Sequence, residues 1–347
     1  MALSFFLNTS ISDANPKFAL QFSNIVGEDS KLPLPTLWFL IMKLIKLVTT
    51  GIAAFLLSGA ANAINMPSGS VENPLRVMMV PTDTGTNDIT ADYAPVFQGI
   101  TKHYGIHFDL RAGASYAAVV EGMCNNQIDI AWYGAVTFGQ ANDRCGVELL
   151  AVDVKKGDAS YFSGIFVAKD SGIDEISDLK GKSMSFGSPN STSSFNFPVA
   201  MLIAEGIDPV KDLQKIIIAG SHSASLAAMA EGKVDAAAAS YNSFGKAVSK
   251  GTIDPTKFKS LAKSQPIPNP PLALNKGLSE DMKAKLRKAF GEIHTKIDPS
   301  KIRGYGGKKV DRYDAEFDVQ KIFDALGKLS AVTKQVKAEM IDKAGQY

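Results

Sequence analysis

Apolar runs and amphipathic stretches alternate along the chain from Leu75 onward. Leu75–Val80 is an apolar run closed by Pro81, which predicts a buried strand. Residues 91–104 carry apolar side chains at helical spacing and are followed by a glycine, which predicts a helix. The same alternation continues to about residue 168. Strands separated by helices at this spacing predict a parallel sheet with helices on both faces.

A second series of strands and helices follows, and it is complete in itself. Its predicted strands are Ser183–Phe186, Ile216–Ile218 and Val234–Ala238, each followed by a helical pattern. The proline-rich stretch 265–271 predicts a connecting segment, and we expect the remainder to be helical.

A chain that leaves one α/β unit, builds a second and then returns makes two lobes. We expect residues 75–164 plus 262–347 to form lobe 1 and residues 165–261 to form lobe 2, as two doubly wound sheets joined by two hinge crossovers. The carboxyl ends of the strands then face the cleft between the lobes, which is the natural place for a ligand.

The region before residue 75 predicts export. Residues 42–46 are a short basic start, residues 47–57 form an uncharged apolar run, and Ala61-Asn-Ala63 supplies the small residues of a cleavage site. The uncharged run is shorter than the ~20 residues that a membrane-spanning helix needs. We therefore expect residues 42–63 to be a signal peptide cleaved near Ala63, and the mature protein to be periplasmic. Residues 1–41 have no clear role, and a translation start at Met42 would explain them.

Charge and cysteine content narrow the class of protein further. The chain of 347 residues has a formal net charge of +2, with acids and bases mixed along its length, which argues against a nucleic-acid binder. Its two cysteines, Cys124 and Cys145, both belong to the exported part, where a disulfide is permitted. The predicted helices place both cysteines after helix ends on one side of the sheet. A bridge and two buried free thiols both remain open.

Residues 187–194, Gly-Ser-Pro-Asn-Ser-Thr-Ser-Ser, lie between a predicted strand and a predicted helix. Hydroxyls and free backbone N–H groups at a helix N-terminus suit a tetrahedral oxyanion, because that end carries about half a positive charge. Ordinary N-capping needs only one such residue, and five in succession exceed that need. The turn therefore predicts an anion site.

His222 and several tyrosines are further candidates for the same cleft. His222 lies in Gly220-Ser-His-Ser, again between a strand and a helix, where it is equally suited to be an anion donor or a loop histidine. Tyr116 opens a predicted helix and Tyr133 ends a predicted strand. Each tyrosine is suited either to offer a hydroxyl to a ligand or to pack in the core.

Known catalytic and metal-binding patterns are missing from the sequence. Gly181-Lys-Ser183 resembles the end of a P-loop, but Ile176 stands where the first glycine should be. The four histidines show no metal-ligand spacing. We expect no enzyme activity, no metal and no cofactor.

From Leu75 to about Leu329 the chain resembles the phosphate, phosphite and phosphonate substrate-binding proteins of ABC importers, the PhnD-like family. The segments that carry the resemblance are Tyr116–Met123, Asp129–Gly134, Asp178–Lys182, Pro189–Ser193, Ser221-His222, Val234–Ala238 and Ile267–Pro270.

The resemblance implies a type II periplasmic-binding-protein fold and a ligand that is a small phosphorus oxyanion. The implied partners are the permease and ATPase subunits of an importer, with the binding protein itself a monomer. Carried over by position, the residues that would hold the phosphorus oxygens are Ser191, Thr192, Ser193 and His222. Tyr116 and Tyr161 match tyrosines that contact ligand in the family, and Tyr133 is a further candidate in the same cleft.

Two departures from the family pattern bear on the ligand. Relatives that bind 2-aminoethylphosphonate hold its ammonium group with acidic residues, whereas the aligned places near Asn242-Ser243 and at Pro270 lack a carboxylate. A buried ammonium without a counter-charge is costly. Ser194 also replaces the usual glycine of the turn, which predicts a tighter pocket. We therefore expect phosphite to bind best, then methylphosphonate, with phosphate weaker.

Other functions fit the same architecture. One is a binding protein for another anion such as a sulfonate, for a thiamine precursor, or for 2-aminoethylphosphonate itself. Another is the effector domain of a transcription regulator, against which the export signal and the lack of a DNA-binding helix pair argue. A secreted phosphoryl-transfer enzyme would need a nucleophile or metal ligands, which the sequence does not show.

Overall fold

A computed structural model describes residues 67–83 and 87–346 of the chain. The predicted signal peptide, residues 42–63, and the preceding segment 1–41 lie outside the described residues. The strands are β1 (Leu75–Met79), β2 (Phe108–Ala112), β3 (Ile130–Trp132), β4 (Glu148–Val154), β5 (Ser160–Tyr161), β6 (Ser163–Ala168), β7 (Ser183–Phe186), β8 (Lys215–Ile218), β9 (Ala236–Ser240), β10 (Phe258–Lys263), β11 (Ile267–Pro268), β12 (Leu272–Leu274) and β13 (Arg312–Asp314). The α-helices are α1 (Asn87–Tyr104), α2 (Tyr116–Cys124), α3 (Ala135–Cys145), α4 (Phe197–Ala204), α5 (His222–Ala230), α6 (Tyr241–Ser249), α7 (Glu280–Glu292), α8 (Gln320–Gly327) and α9 (Lys334–Ala344).

Two mixed sheets organise these elements into two α/β lobes. The first sheet has six strands in the order β13-β4-β12-β3-β1-β2, and the second has five in the order β10-β6-β9-β7-β8. Strands that are linked through helices pair in parallel, as predicted: β1 with β2 and β3, and β7 with β8 and β9. The other pairs within these two sheets are antiparallel.

Each lobe has its own apolar core. Leu75, Ile130 and Leu272 are buried in the core of lobe 1, whereas Met184 and Ile216 belong to that of lobe 2. The chain passes from lobe 1 to lobe 2 between β5 and β6, and it returns between β10 and β11. Strands β5 and β11 pair with each other beside these crossovers, as a two-stranded ladder at the hinge.

Two parts of the C-terminal region differ from the sequence-based expectation. Leu272–Leu274 is a strand in the middle of the first sheet, between β3 and β4, although we expected only helix after residue 271. Helix α9 packs on lobe 2, where Val332 and Met340 join the core, so the C-terminal end does not belong to lobe 1 as we expected. The physical reason is that lobe 2 offers an apolar face beside β8, which the apolar side of α9 covers.

Cys124 and Cys145 form a disulfide. Each is the last residue of its helix, α2 and α3 respectively, and the two helices pack against each other in lobe 1. Among the described residues, no helix has both the length and the apolar character that a membrane crossing requires.

Candidate functional site

A small cavity lies between the two lobes. The centre of a water-sized atom can occupy only about 10 Å³ of it, far below the ~300–1,000 Å³ of pockets for drug-sized ligands. Lobe 1 and the hinge contribute Val80, Thr82, Tyr116, Trp132, Gly134, Tyr161, Pro270 and Tyr305 to its lining, and lobe 2 contributes Ser191, Thr192, Ser193 and His222. The cavity volume is about the room that a single water molecule needs, so a larger ligand requires the two lobes to move apart slightly.

The Ser/Thr-rich turn is built to present donors to this cavity. Ser191 caps the helical segment that follows, since its Oγ accepts a hydrogen bond from the Ser194 backbone N–H at 3.1 Å. The segment opens with a π-helical turn, Thr192–Asn196, before α4 begins. The N–H groups of Thr192 and Ser193 precede the first intrahelical bond and so have no acceptor within the helix.

Two side chains fix the shape of the turn from behind. The Asn196 amide donates to the backbone oxygen of Ser191 at 2.7 Å, which holds the turn against the helix that it opens. Ser194 Oγ lies against Gly187, where an added Cβ would be only 2.0 Å away. Ser194 is not among the residues that line the cavity. Its predicted tightening of the pocket is therefore not seen, because its side chain points to the back of the turn.

His222 is the first residue of α5 and faces the cavity as a neutral donor. The Ser240 backbone N–H donates to its Nδ1 at 3.0 Å, so in the neutral ring the proton is on Nε2. Nε2 lies 3.4 Å from both Ser191 Oγ and Tyr305 Oη. Burial lowers the pKa of His222 to about 3. The ring is thus uncharged at neutral pH and offers one N–H to a ligand.

The predicted tyrosines have different positions. Tyr116 opens α2 and lines the cavity, and its hydroxyl is buried without a hydrogen-bond partner in the described part of the chain. Tyr161 lies in hinge strand β5 and also lines the cavity. Tyr133 does not line it, because its hydroxyl donates to the Val119 backbone oxygen at 3.2 Å inside lobe 1. The structure thus brings Tyr116 and Tyr161 to the cavity and leaves Tyr133 in the core.

Tyr305 was not predicted, yet it lines the cavity. Its hydroxyl lies 2.8 Å from Ser240 Oγ and 3.2 Å from Ser243 Oγ, both in lobe 2. Burial raises the pKa of Tyr305 to about 12. The only sequence signal was its setting between glycines, Gly304-Tyr305-Gly306-Gly307, which indicates a tight loop rather than a site.

Four helix N-termini converge on the cavity. Tyr116 and His222 are the first residues of α2 and α5, Gly134 is the N-cap of α3, and Ser191 caps the segment that leads into α4. All four residues line the cavity. Each N-terminus carries about half a positive charge and unpaired N–H donors. Their joint field favours an anion even though, in the described part of the chain, no Lys or Arg side chain belongs to the lining.

The lobes are in contact across the cleft. The His222 backbone N–H donates to the Thr82 oxygen at 3.0 Å. The Val136 N–H of lobe 1 donates to Thr192 Oγ1 of lobe 2 at 2.9 Å. This bond caps α3 from the opposite lobe, because the N-cap residue of α3 is a glycine and makes no side-chain bond of its own. The structure is therefore that of the closed arrangement.

Charged side chains also meet across the cleft, outside the cavity. Lys246 of α6 in lobe 2 contacts Asp83 and Asp92 of lobe 1 at 3.1 and 2.7 Å. These three side chains are 12%, 11% and 20% exposed, so solvent screens the ion pairs only in part. The positive charge of Lys246 offsets the negative charge of Asp83, which would otherwise repel an anion in the nearby cavity.

Pro270 and the pair Asn242-Ser243, where relatives that bind 2-aminoethylphosphonate have acidic residues, lie at or near the cavity. Pro270 lines the cavity directly. Ser243 lies behind Tyr305 and bonds to its hydroxyl, and the Asn242 amide donates to the Tyr305 backbone oxygen at 3.2 Å. Among the residues that the structure describes, no Asp or Glu is part of the cavity lining. The described residues also contain no cluster of three His, Cys, Asp or Glu side chains that could hold a metal ion.

Comparison with known proteins identifies the family. Residues 78–314 match the family described as ABC transporter, phosphonate, periplasmic substrate-binding protein. The chain belongs to this family. Its members are the substrate-binding components of importers and not enzymes.

Two curated relatives agree with this assignment. The chain is 31% identical over 224 residues to the phosphonates-binding periplasmic protein of Escherichia coli, a match that covers 63% of this chain and only 66% of that protein. It is 28% identical over 262 residues to the phosphate-import protein PhnD of Mycolicibacterium smegmatis, covering 71% and 81%.

The solved structures confirm the two-lobed fold. A binding protein component of an ABC phosphonate transporter from Pseudomonas aeruginosa aligns with a TM-score of 0.64 at 23% identity, covering 79% of this chain and 96% of that one. PhnD1 from Prochlorococcus marinus in complex with methylphosphonate aligns with a TM-score of 0.60 at 18% identity, covering 73% and 98%. At these identities the likeness is one of fold.

Proposed function

We propose that this protein captures a small phosphorus oxyanion in the periplasm and delivers it, as a monomer, to the permease and ATPase subunits of an ABC importer. Phosphite is the preferred ligand, methylphosphonate the next, and phosphate is weaker. The observation that carries the proposal is the set of neutral hydrogen-bond donors that both lobes direct at one small cavity.

The donor set supports an anion. Ser191, Thr192 and Ser193 supply hydroxyls and free N–H groups from lobe 2, and His222 supplies Nε2–H. Within the described ranges, the buried hydroxyl of Tyr116 in lobe 1 has no hydrogen-bond partner, and a ligand oxygen would satisfy it. Leaving such a group unpaired costs about 1–3 kcal/mol, so a ligand oxygen that accepts a hydrogen bond from it recovers that free energy.

The missing carboxylate supports a ligand without an ammonium group. A cationic tail inside this cavity would have no counter-charge in the lining, and burying an unpaired charge costs several kcal/mol. The relatives and neighbours bind or import different phosphorus compounds according to their names. The preference proposed here therefore rests on the lining of this cavity and not on theirs.

The apolar part of the lining supports phosphite and methylphosphonate over phosphate. Val80, Trp132 and Pro270 face the cavity along with the donors. Phosphate has a fourth oxygen that must find a hydrogen-bond partner, whereas phosphite has a P–H bond and methylphosphonate a methyl group in its place. An apolar substituent is compatible with these walls, and a hydroxyl without an acceptor is not.

Ligand capture follows from closure of the lobes. An anion bound to the lobe 2 turn would gain its contacts to Tyr116 and Tyr161 only when the lobes close. The ligand therefore shifts the population toward the closed form, which the permease would recognise. The cross-cleft bonds from Val136 to Thr192 and from His222 to Thr82 add to the stability of that form.

Calorimetric titration of the mature protein with phosphite, methylphosphonate, phosphate, 2-aminoethylphosphonate and methanesulfonate tests this function. We expect the first two to bind most tightly. Ser191→Ala should weaken phosphite binding about tenfold to a hundredfold, the worth of a hydrogen bond to a charged group. Ser177→Ala, on the surface of the same lobe, is the matched control. Tight binding of 2-aminoethylphosphonate with no response to phosphite would overturn the preference, and binding of methanesulfonate alone would identify a sulfonate receptor.

A further inference from the structure

Tyr305 is held in a fixed position by the glycines around it. At Gly304 a Cβ would come within 2.3 Å of Asp153 Oδ2, so no other residue fits there without displacing that buried carboxylate. Gly306 and Gly307 have φ angles of +73° and +69°, which side-chain-bearing residues rarely adopt. The loop is thus shaped to project one large side chain, and Tyr305 is 3% exposed.

The Tyr305 ring crosses the cleft from lobe 1 to lobe 2. Its centroid lies 5.3 Å from that of Trp132 and 5.2 Å from that of Tyr161, both of which line the cavity. At its far end the hydroxyl reaches Ser240 Oγ and Ser243 Oγ in lobe 2. Since Ser240 is the N-cap of α6, the hydroxyl docks on a rigid part of that lobe. These bonds can exist only while the lobes are closed.

The ring therefore closes the cavity on one side whenever the lobes close. It cannot move toward lobe 2, because Ser240 and Ser243 are already in contact with its hydroxyl. It cannot move back, because it packs against the ring of Trp132 in the core of lobe 1. A ligand with a longer organic group would have to displace the ring and with it the cross-cleft bonds.

We infer that Tyr305 is a specificity-determining residue: its ring sets the upper size limit of the organic group on the bound oxyanion, and it imposes that limit at lobe closure. The inference deepens the proposed function and rests on it. It also gives a physical role to a residue outside the Ser/Thr-rich turn. The turn selects the anionic head, and Tyr305 selects against a long tail.

The test compares the affinities of methyl-, ethyl- and propylphosphonate for the wild type, Tyr305→Phe and Tyr305→Ala by titration calorimetry. Tyr305→Phe is the matched control, since it keeps the ring and removes only the hydroxyl. We expect the wild type and Tyr305→Phe to prefer methylphosphonate strongly over propylphosphonate. In Tyr305→Ala that preference should shrink by about tenfold or more, because two further methylene groups gain a buried place.

A folded Tyr305→Ala protein that keeps the wild-type preference would overturn the inference, and so would Tyr305→Phe if it relaxed the preference as much as Tyr305→Ala. Should Tyr305→Ala fail to fold, Tyr305→Leu removes part of the ring volume and should shrink the preference in the same direction. If the wild type binds no phosphonate at all, the proposed function fails, and the same comparison with methane-, ethane- and propanesulfonate still tests the size limit.

Discussion

Gly134 permits the lobes to close, and its replacement by alanine should disfavour closure without disturbing either lobe. Gly134 has φ and ψ of −80° and 167°, which alanine adopts without strain. A Cβ at this position would lie 2.8 Å from Thr192 Oγ1 in the opposite lobe. The same oxygen accepts the 2.9 Å hydrogen bond from the Val136 N–H. The added methyl group therefore meets the acceptor of a cross-cleft bond.

The magnitude follows from these two contacts. Overpacking a well-packed site costs about 1–3 kcal/mol, and a lost hydrogen bond about 0.5–1.5 kcal/mol. Partial relaxation leaves an expected penalty of about 2 kcal/mol, which acts on the closed form alone. Because ligand binding is coupled to closure, the affinity for methylphosphonate should fall roughly thirtyfold.

Two measurements on Gly134→Ala check this reasoning: titration calorimetry for the affinity, and small-angle X-ray scattering for the compaction on ligand addition. Gly245→Ala in α6 is the matched control, since no heavy atom lies within 4 Å of its added Cβ. We expect the ligand-free melting temperatures of the two variants to stay within a few degrees of the wild type. A Gly134→Ala protein that binds methylphosphonate and compacts as the wild type does would refute the reasoning.

Three further predictions concern pH, the disulfide and the charges across the cleft. Burial holds the pKa of His222 at about 3, below its unfolded value of ~6.5, so the unfolded chain takes up the proton first and stability falls as pH drops through that window. Between pH 7 and pH 5 the wild type saturated with methylphosphonate should lose about 2 kcal/mol of unfolding free energy that His222→Gln retains. Equal losses in denaturant titrations would contradict this. Replacing Cys124 and Cys145 by serine should lower the free energy of unfolding by about 2–4 kcal/mol. The ligand affinity should not change, because the disulfide lies within lobe 1. A weaker affinity in calorimetry would contradict this expectation. Lys246→Met should weaken ligand binding by about 1–2 kcal/mol, because its ion-pair partners Asp83 and Asp92 lie across the cleft. An unchanged Kd in calorimetry would show that these ion pairs do not stabilise the closed form.

The two α/β units and the Ser/Thr-rich turn were predictable because their signals are local. The polar run from Asn190 to Ser194 directly follows an apolar strand, and the end of such a strand in an α/β lobe faces the cleft. His222 had the same strand-to-helix setting. In each case a short stretch of sequence determines both the element and the edge of the sheet at which it ends.

What could not be predicted depends on contacts between distant residues. Strand β12 is three residues long, too short for a periodic pattern, and only its pairing with β3 and β4 makes it a strand. The position of Tyr305 at the cavity depends on hydrogen bonds to Ser240 and Ser243, which are 65 and 62 residues away along the chain. The lobe on which α9 packs is decided by its contacts with β8, which lies more than 100 residues earlier in the chain. Tyr133 lies in the core because its side chain points away from the cleft. Successive side chains near a strand end point in opposite directions, so an error of one residue in the predicted strand reverses the expected direction.

The central claim is that a small phosphorus oxyanion binds between the lobes at the Ser/Thr-rich turn. A crystal structure of the mature protein grown with methylphosphonate tests it most directly. The account predicts the phosphorus oxygens within hydrogen-bond distance of Ser191, Ser193 and His222 Nε2, with Tyr116 Oη donating from the opposite lobe. A ligand bound elsewhere, or a complex in which that turn makes no contact with it, would contradict the account.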